Sequence, residues 1–173
     1  MIDENESLPT LLDDCTDLQS WVLNTEASIV YKGKSLKEWV NVLRIPATIN
    51  TNMSIEEVET INNQLLILTE TVMSNLSIAK ASHYAAKAAH DIEMLKARDK
   101  VLDELSNNGS TTKRAPSSET IEKLCYSKCI NTWTLQFKTE ITHEFWNVQS
   151  YKLSHLHSRM TSLNILKNIN SKL

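Results

Sequence analysis

Glycine is nearly missing from this chain. Its 173 residues include only Gly33 and Gly109, and the only prolines are Pro9, Pro46 and Pro116. Sheet proteins need frequent turn residues and phosphate-cradling loops need clustered glycines, so both are excluded; long helices need neither. Three cysteines, an odd number, cannot form a closed disulfide scaffold and fit a reducing compartment. No stretch approaches the ~18 apolar residues of a membrane span. The opening MIDENESLPT is acidic and has no apolar signal core, so a cytoplasmic protein is expected.

Acid is also missing where it might be expected. The net charge is −3, yet no Asp or Glu occurs from Phe145 onward. Residues 1–30 hold seven acids and no Lys or Arg, while residues 129–173 hold five bases and two acids. An acidic head and a basic tail can attract each other within one chain or between copies, although solvated helix faces would give the same pattern. Frequent Asn, Ile, Lys and Ser are associated with AT-rich genomes, including those of many phages.

What remains is helical periodicity, cut into four stretches by the few breakers. The first runs from about Leu8 to Lys32, with Ser7 as cap and Pro9 in its first turn. Leu8, Leu11, Cys15, Leu18, Val22, Thr25 and Ile29 form its apolar stripe, and Gly33 ends it. The second runs from Ser35 to Ile45; Ser35 and Glu38 have capping-box spacing, and Pro46 stops it. The third opens on a second capping box, Ser54 and Glu57, and meets no breaker before Asn107-Asn108-Gly109. About 53 residues at 1.5 Å each reach roughly 80 Å, too long for a compact globule without an equally long partner.

Its stripe reads Ile55, Val58, Ile61, Leu65, Leu68, Val72, Leu76, Ala79 and Ala86, then Leu95, Leu102 and Leu105. The fourth stretch starts near Pro116 and Glu119 and continues to Leu173 without glycine or proline. Its stripe includes Tyr126, Ile130, Trp133, Phe137, Ile141, Phe145, Val148, Leu156, Leu163 and Leu166. The fold expected is all-α: a long antiparallel helical hairpin over residues 51–173 with a tip loop at 106–118, and two shorter helices within residues 1–50 packing on its base or on a neighbouring subunit. Ala79, Ala81, Ala85, Ala86, Ala88 and Ala89 should face the aromatic-rich return helix, small against large, leaving His83 and His90 at the seam's border or in solvent.

Candidate chemistry is sparse. Cys125 and Cys129, one helical turn apart, could share a face with His83 and His90 at a metal, but two thiols packing as small apolar groups is the simpler reading. His155 and His157 point to different sides of a helix and read as surface residues. With no catalytic motif, neither metal nor cofactor is expected and the chain reads as non-enzymatic. Two basic regions stand out: Lys96, Arg98, Lys100, Lys113, Arg114, Lys123 and Lys128 near the tip, and Lys152, Arg159, Lys167 and Lys172 in the tail. Cations interleaved with aromatics suit single-stranded nucleic acid, and an oligomer would multiply a modest patch.

The stretch AKASHYAAKAAHDIEMLKARDKV, the loop TTKRAPSSETIEKL and the later SRMTSLNIL together resemble the phage recombination mediators of the UvsY type. That resemblance spans about Ala79 to Ile169 and implies a ring-forming helical protein that binds single-stranded DNA and helps load a recombinase. Lys80, Lys87, Lys96, Arg98, Lys113 and Arg114 would then contact phosphate, with Arg159 assisting, and the first and last helices would make the subunit contacts. The alternative is a structural or adaptor protein, such as a virion component, assembly factor or inhibitor, working through protein contacts alone and docking a partner on its acidic first helix.

Overall fold

A computed structural model describes residues 24, 25, 27–44, 52–107 and 117–170. The chain divides into two compact units, Met1–Thr48 and Ile49–Leu173.

In the first unit the expected helix over residues 8–32 stops early. Residues 24, 25, 27 and 28 are helical, and the Ile29 N–H still reaches the Thr25 carbonyl at 3.1 Å. The chain then leaves the helix to form a two-stranded antiparallel hairpin, β1 (Val30–Tyr31) and β2 (Lys34–Ser35), with Val30 opposite Ser35 and Tyr31 opposite Lys34. Gly33 therefore serves a β-turn, not a helix end. Lys32 and Gly33 have φ of 48° and 79°, and positive φ at both central residues gives a connection whose twist matches the strands. A Cβ at Gly33 would meet nothing within 4 Å, so it is the backbone angle that selects glycine there. The earlier residues of the expected first helix, among them Leu8, Leu11, Cys15, Leu18 and Val22, lie outside the described residues.

Helix α1 (Leu36–Val42) follows at once, shorter than the Ser35–Ile45 expected, and its capping box is formed as read. Ser35 Oγ accepts the Glu38 N–H at 3.2 Å while the Glu38 carboxylate accepts the Ser35 N–H at 2.6 Å. The Ser35 N–H and, second, the Ser35 hydroxyl, which donates to the same carboxylate at 2.8 Å, hold the Glu38 carboxyl below its ordinary value. The Trp39 indole N–H donates to the Tyr31 carbonyl at 2.8 Å, tying α1 to the hairpin.

The second unit is the long hairpin. Helix α2 (Ile55–Asn107) is one rod of 53 residues, roughly 80 Å at 1.5 Å per residue. Its start is capped as expected: the Glu57 N–H donates to Ser54 Oγ at 3.1 Å, and the Ser54 N–H to the Glu57 carboxylate at 2.6 Å. The return is not one rod. Helix α3 (Ser118–Lys128), capped by Ser117, gives way at Cys129 to helix α4 (Ile130–Asn170). Cys129 has φ −110° and ψ 18°; its N–H is shared between the Cys125 and Tyr126 carbonyls at 3.1 Å each. Its own carbonyl accepts both the Trp133 N–H and the Thr132 hydroxyl at 3.0 Å. This break in the helical ladder contains neither glycine nor proline, so a search for those residues does not detect it.

Packing of α2 against α4 is antiparallel throughout. Thr69 meets His157 (3.1 Å), Met73 meets Ser150 (3.6 Å), the rings of His83 and His143 stack at 5.9 Å, and His90 meets Thr132 (3.2 Å). Steady retreat along α4 as α2 advances defines one register. The core toward the open end is large and apolar: Val58, Ile61, Leu65 and Val72 with Trp146, Leu153 and Met160. Toward the tip it shrinks to Ala97, Val101, Cys125 and Cys129, flanked by Met94, Leu105 and Ile121.

Candidate functional site

The residues that fill the seam are not all those the apolar stripes nominate. On α2, Val58, Ile61, Leu65, Val72, Ala79 and Ala86 are buried as expected and Leu68 and Leu76 are half-buried, but Ile55 is exposed, and so are Leu95 and Leu102 at 65% and 44%. On the return arm the seam overlaps the stripe read in sequence only in part. Phe145 and Leu163 are buried as expected, beside Trp146, Gln149, Leu153 and Met160, which the stripe did not include, whereas Tyr126 on α3 and Ile130, Trp133, Val148 and Leu166 on α4 stay exposed. The alanine expectation is corrected in the same way: Ala79 and Ala86 are in the seam, and Ala81, Ala85, Ala88 and Ala89 face out.

Of the histidines, His83 lies at the seam's border as expected, while His90 and His157 are more enclosed than expected. His90 is buried, its Nδ1 3.2 Å from Thr132 Oγ1; His83 is half-buried on His143; and His157, half-buried, bonds to Thr69. Only His155 is exposed as read. Thr132 is a small hub, within 3.0 Å of the Glu93 carboxylate as well as of the Cys129 carbonyl. Its single proton is shared between those two acceptors, leaving its lone pairs to accept from His90. Among the described residues, His83 Nδ1 and Gln136 Oε1 are buried without a hydrogen-bond partner.

At the Cys129 bend the three helices part and leave a lateral groove of about 670 Å³. Asp91, Leu95 and Arg98 of α2 form one wall; Tyr126 and Trp133 contribute to the other; and the Gln136 side chain, with its unpartnered oxygen, also lines it. Trp133 is held by a parallel stack on Phe137, centroids 5.6 Å apart. Cys125 and Cys129 pack as the small apolar groups expected. Burial, then the Glu93 and Cys125 charges, pushes the Cys129 thiol above its ordinary value, so it is a poor nucleophile. No group of three or more potential metal ligands occurs among the described residues.

The cationic candidates do not gather at this groove. Lys80, Lys87, Lys96, Arg98 and Arg159 are all exposed. Lys80 and Lys87 are seven residues apart and Arg98 eighteen beyond Lys80, whole numbers of turns to within about 20°, so these three share one face of α2 over roughly 27 Å. Lys96 lies about 160° around the helix from them. Arg159 is on α4 near the Thr69–His157 level, some ~15–20 Å along the hairpin from Lys80. Lys113 and Arg114 lie outside the described residues. Of the other tip cations, Lys128 is paired with Glu104 at 2.7 Å and Lys123 with Glu119 at 2.8 Å.

These features define a structural class: an all-α helical hairpin with exposed apolar flanks and a groove beside the break in its return arm. No protein-family model, curated protein or solved structure matches the chain. Among the described residues no helix is long and apolar enough to cross a membrane.

Proposed function

We propose that the chain is a non-enzymatic, oligomeric helical-hairpin scaffold that acts through protein–protein contacts along the flanks of its rods. The supporting observation is the second apolar surface. After the seam is filled, Tyr84, Ile92, Leu95, Trp133 and Tyr151 remain more than two-fifths exposed. Apolar side chains left in water in such number along one elongated unit mark surfaces that other proteins cover. The test is light scattering of the pure protein over a concentration series, with and without labelled single-stranded DNA at rising salt. The scaffold reading expects assembly and no measurable DNA affinity.

The second reading is a phage-type recombination or replication mediator that binds single-stranded DNA and a partner protein in the host cytoplasm. Lys80, Lys87 and Arg98 favour it, because three cations on one face can follow a phosphate backbone. Against it stand the separation of Lys96 and Arg159 from that face and the neutralising pairs at Lys123 and Lys128. DNA affinity that falls steeply with salt and is lost in a Lys80→Glu/Lys87→Glu variant would replace the first reading by this one.

A further inference from the structure

The exposed stripe on α2 beside the groove has its own order. Tyr84, Ala88, Asp91, Leu95, Arg98 and Leu102 follow one another at steps of four and three, so they lie on one line along the helix, and all six are exposed. This line is separate from the seam, which at the same levels uses Ala86, His90, Ala97 and Val101.

Read outward from Leu95, the line is complementary to its own reversal. Asp91 lies four residues before Leu95 and Arg98 three after, opposite in charge; Ala88 lies seven before and Leu102 seven after, small against large. We infer that this face binds a second copy of the chain, α2 against α2 in antiparallel sense, about a two-fold axis at Leu95. The inference rests on the oligomeric scaffold reading and names the surface that would carry it; it does not depend on nucleic-acid binding.

A two-fold axis at that point brings Leu95 onto Leu95 of the second copy. Asp91 meets its Arg98 and Arg98 its Asp91, while Leu102 rests on its Ala88, which leaves room for the larger side chain. Each contact occurs twice, as a closed two-fold interface requires. A parallel arrangement would set Asp91 against Asp91 and Arg98 against Arg98, so charge selects the antiparallel sense. The Asp91, Leu95 and Arg98 wall belongs to the groove, and the facing Tyr126 and Trp133, 49% and 44% exposed, offer apolar surface to the flank of the incoming helix. An apolar residue on the axis between two ion pairs gives this face a partner of stated sequence, which a bare hydrophobic patch does not have.

The test is a charge-swap cycle on the full chain, read by sedimentation equilibrium. Asp91→Arg alone and Arg98→Asp alone each set like charges opposite at both symmetry-related contacts and should weaken the dimer about tenfold or more. Asp91→Arg/Arg98→Asp restores opposite charges and should recover the wild-type constant. Independently, with Cys15 replaced by Ser, Leu95→Cys should give disulfide-linked dimers under mild oxidation, because only a residue at the axis meets itself. Leu102→Cys should not, since its own copy lies roughly 20 Å away along the helix. These positions are exposed, so folding is checked by circular dichroism and expected to be unchanged. An assembled wild type with no loss in the single variants, or no linkage at Leu95→Cys, overturns the inference while leaving the scaffold reading standing. A wild type that stays monomeric at every concentration overturns both.

Discussion

The two halves of the hairpin are built differently. Toward the open end the seam holds Leu65, Val72, Trp146, Leu153 and Met160, all at 4% exposure or less. Toward the tip it holds Ala86, His90, Ala97, Cys125 and Cys129, and there the return arm bends and the groove opens. Burial per residue is much larger in the first half, and the hydrophobic contribution scales with the apolar area removed from water. The open-end half therefore contributes most to holding the two arms together, while the tip half is closed by smaller seam residues; large apolar side chains are exposed in both halves, Leu66, Ile67 and Tyr151 in the first and Tyr84, Leu95 and Trp133 in the second.

That comparison breaks most directly at Trp146, the largest side chain fully buried. Trp146→Ala should cost about 3–5 kcal/mol in urea unfolding, the range for deleting a buried aromatic. A loss below ~1 kcal/mol would mean the open-end half is not the anchor. A smaller effect tests close approach in the other half. Ala86→Leu forces a large side chain into a seam that accepts a methyl group and should cost about 1–3 kcal/mol. The same change at exposed Ala88 should leave monomer stability nearly unchanged, and equal costs at both sites would erase the distinction between seam and outer stripe.

The smallest effect concerns Cys129. Its thiol pKa is raised in the fold, mainly by burial, so the folded state favours the neutral thiol. The stabilising contribution is present below the unfolded thiol's ordinary pKa. It is lost as pH rises through the folded value, because the unfolded chain ionises first. Stability should decline slightly on the alkaline side in wild type and less in Cys129→Ala, and alkylation of Cys129 should be slow until the protein is denatured.

Much of this architecture was legible from the breakers. The capping boxes at Ser35 and Ser54 and the run from Ile55 to Asn107 appear where local chemistry puts them, because a cap needs only a side chain three residues from its partner. The break at Cys129 was not legible, since neither glycine nor proline marks it and the Thr132 hydroxyl beside it meets His90 and Glu93 only across the facing helix. The strand hairpin at Lys32-Gly33 was hidden by the same ambiguity: a glycine after a helical stripe fits a helix end or a turn equally well until pairing partners are seen. The groove was not legible either. Arg98 was singled out for its charge, but its neighbours Asp91, Tyr126 and Trp133 come together only across three helices.

The sequence by itself determined that this protein is a helical hairpin, because scarce glycine and proline, apolar periodicity and caps act within a few residues of one another. Only the tertiary structure decided which of two adjacent apolar stripes on each helix would be buried. Val148 is exposed and Gln149 buried, and the two differ by one residue, a rotation of ~100° about the helix axis. The choice between them rests on how the facing helix packs, and so on residues far away in the chain.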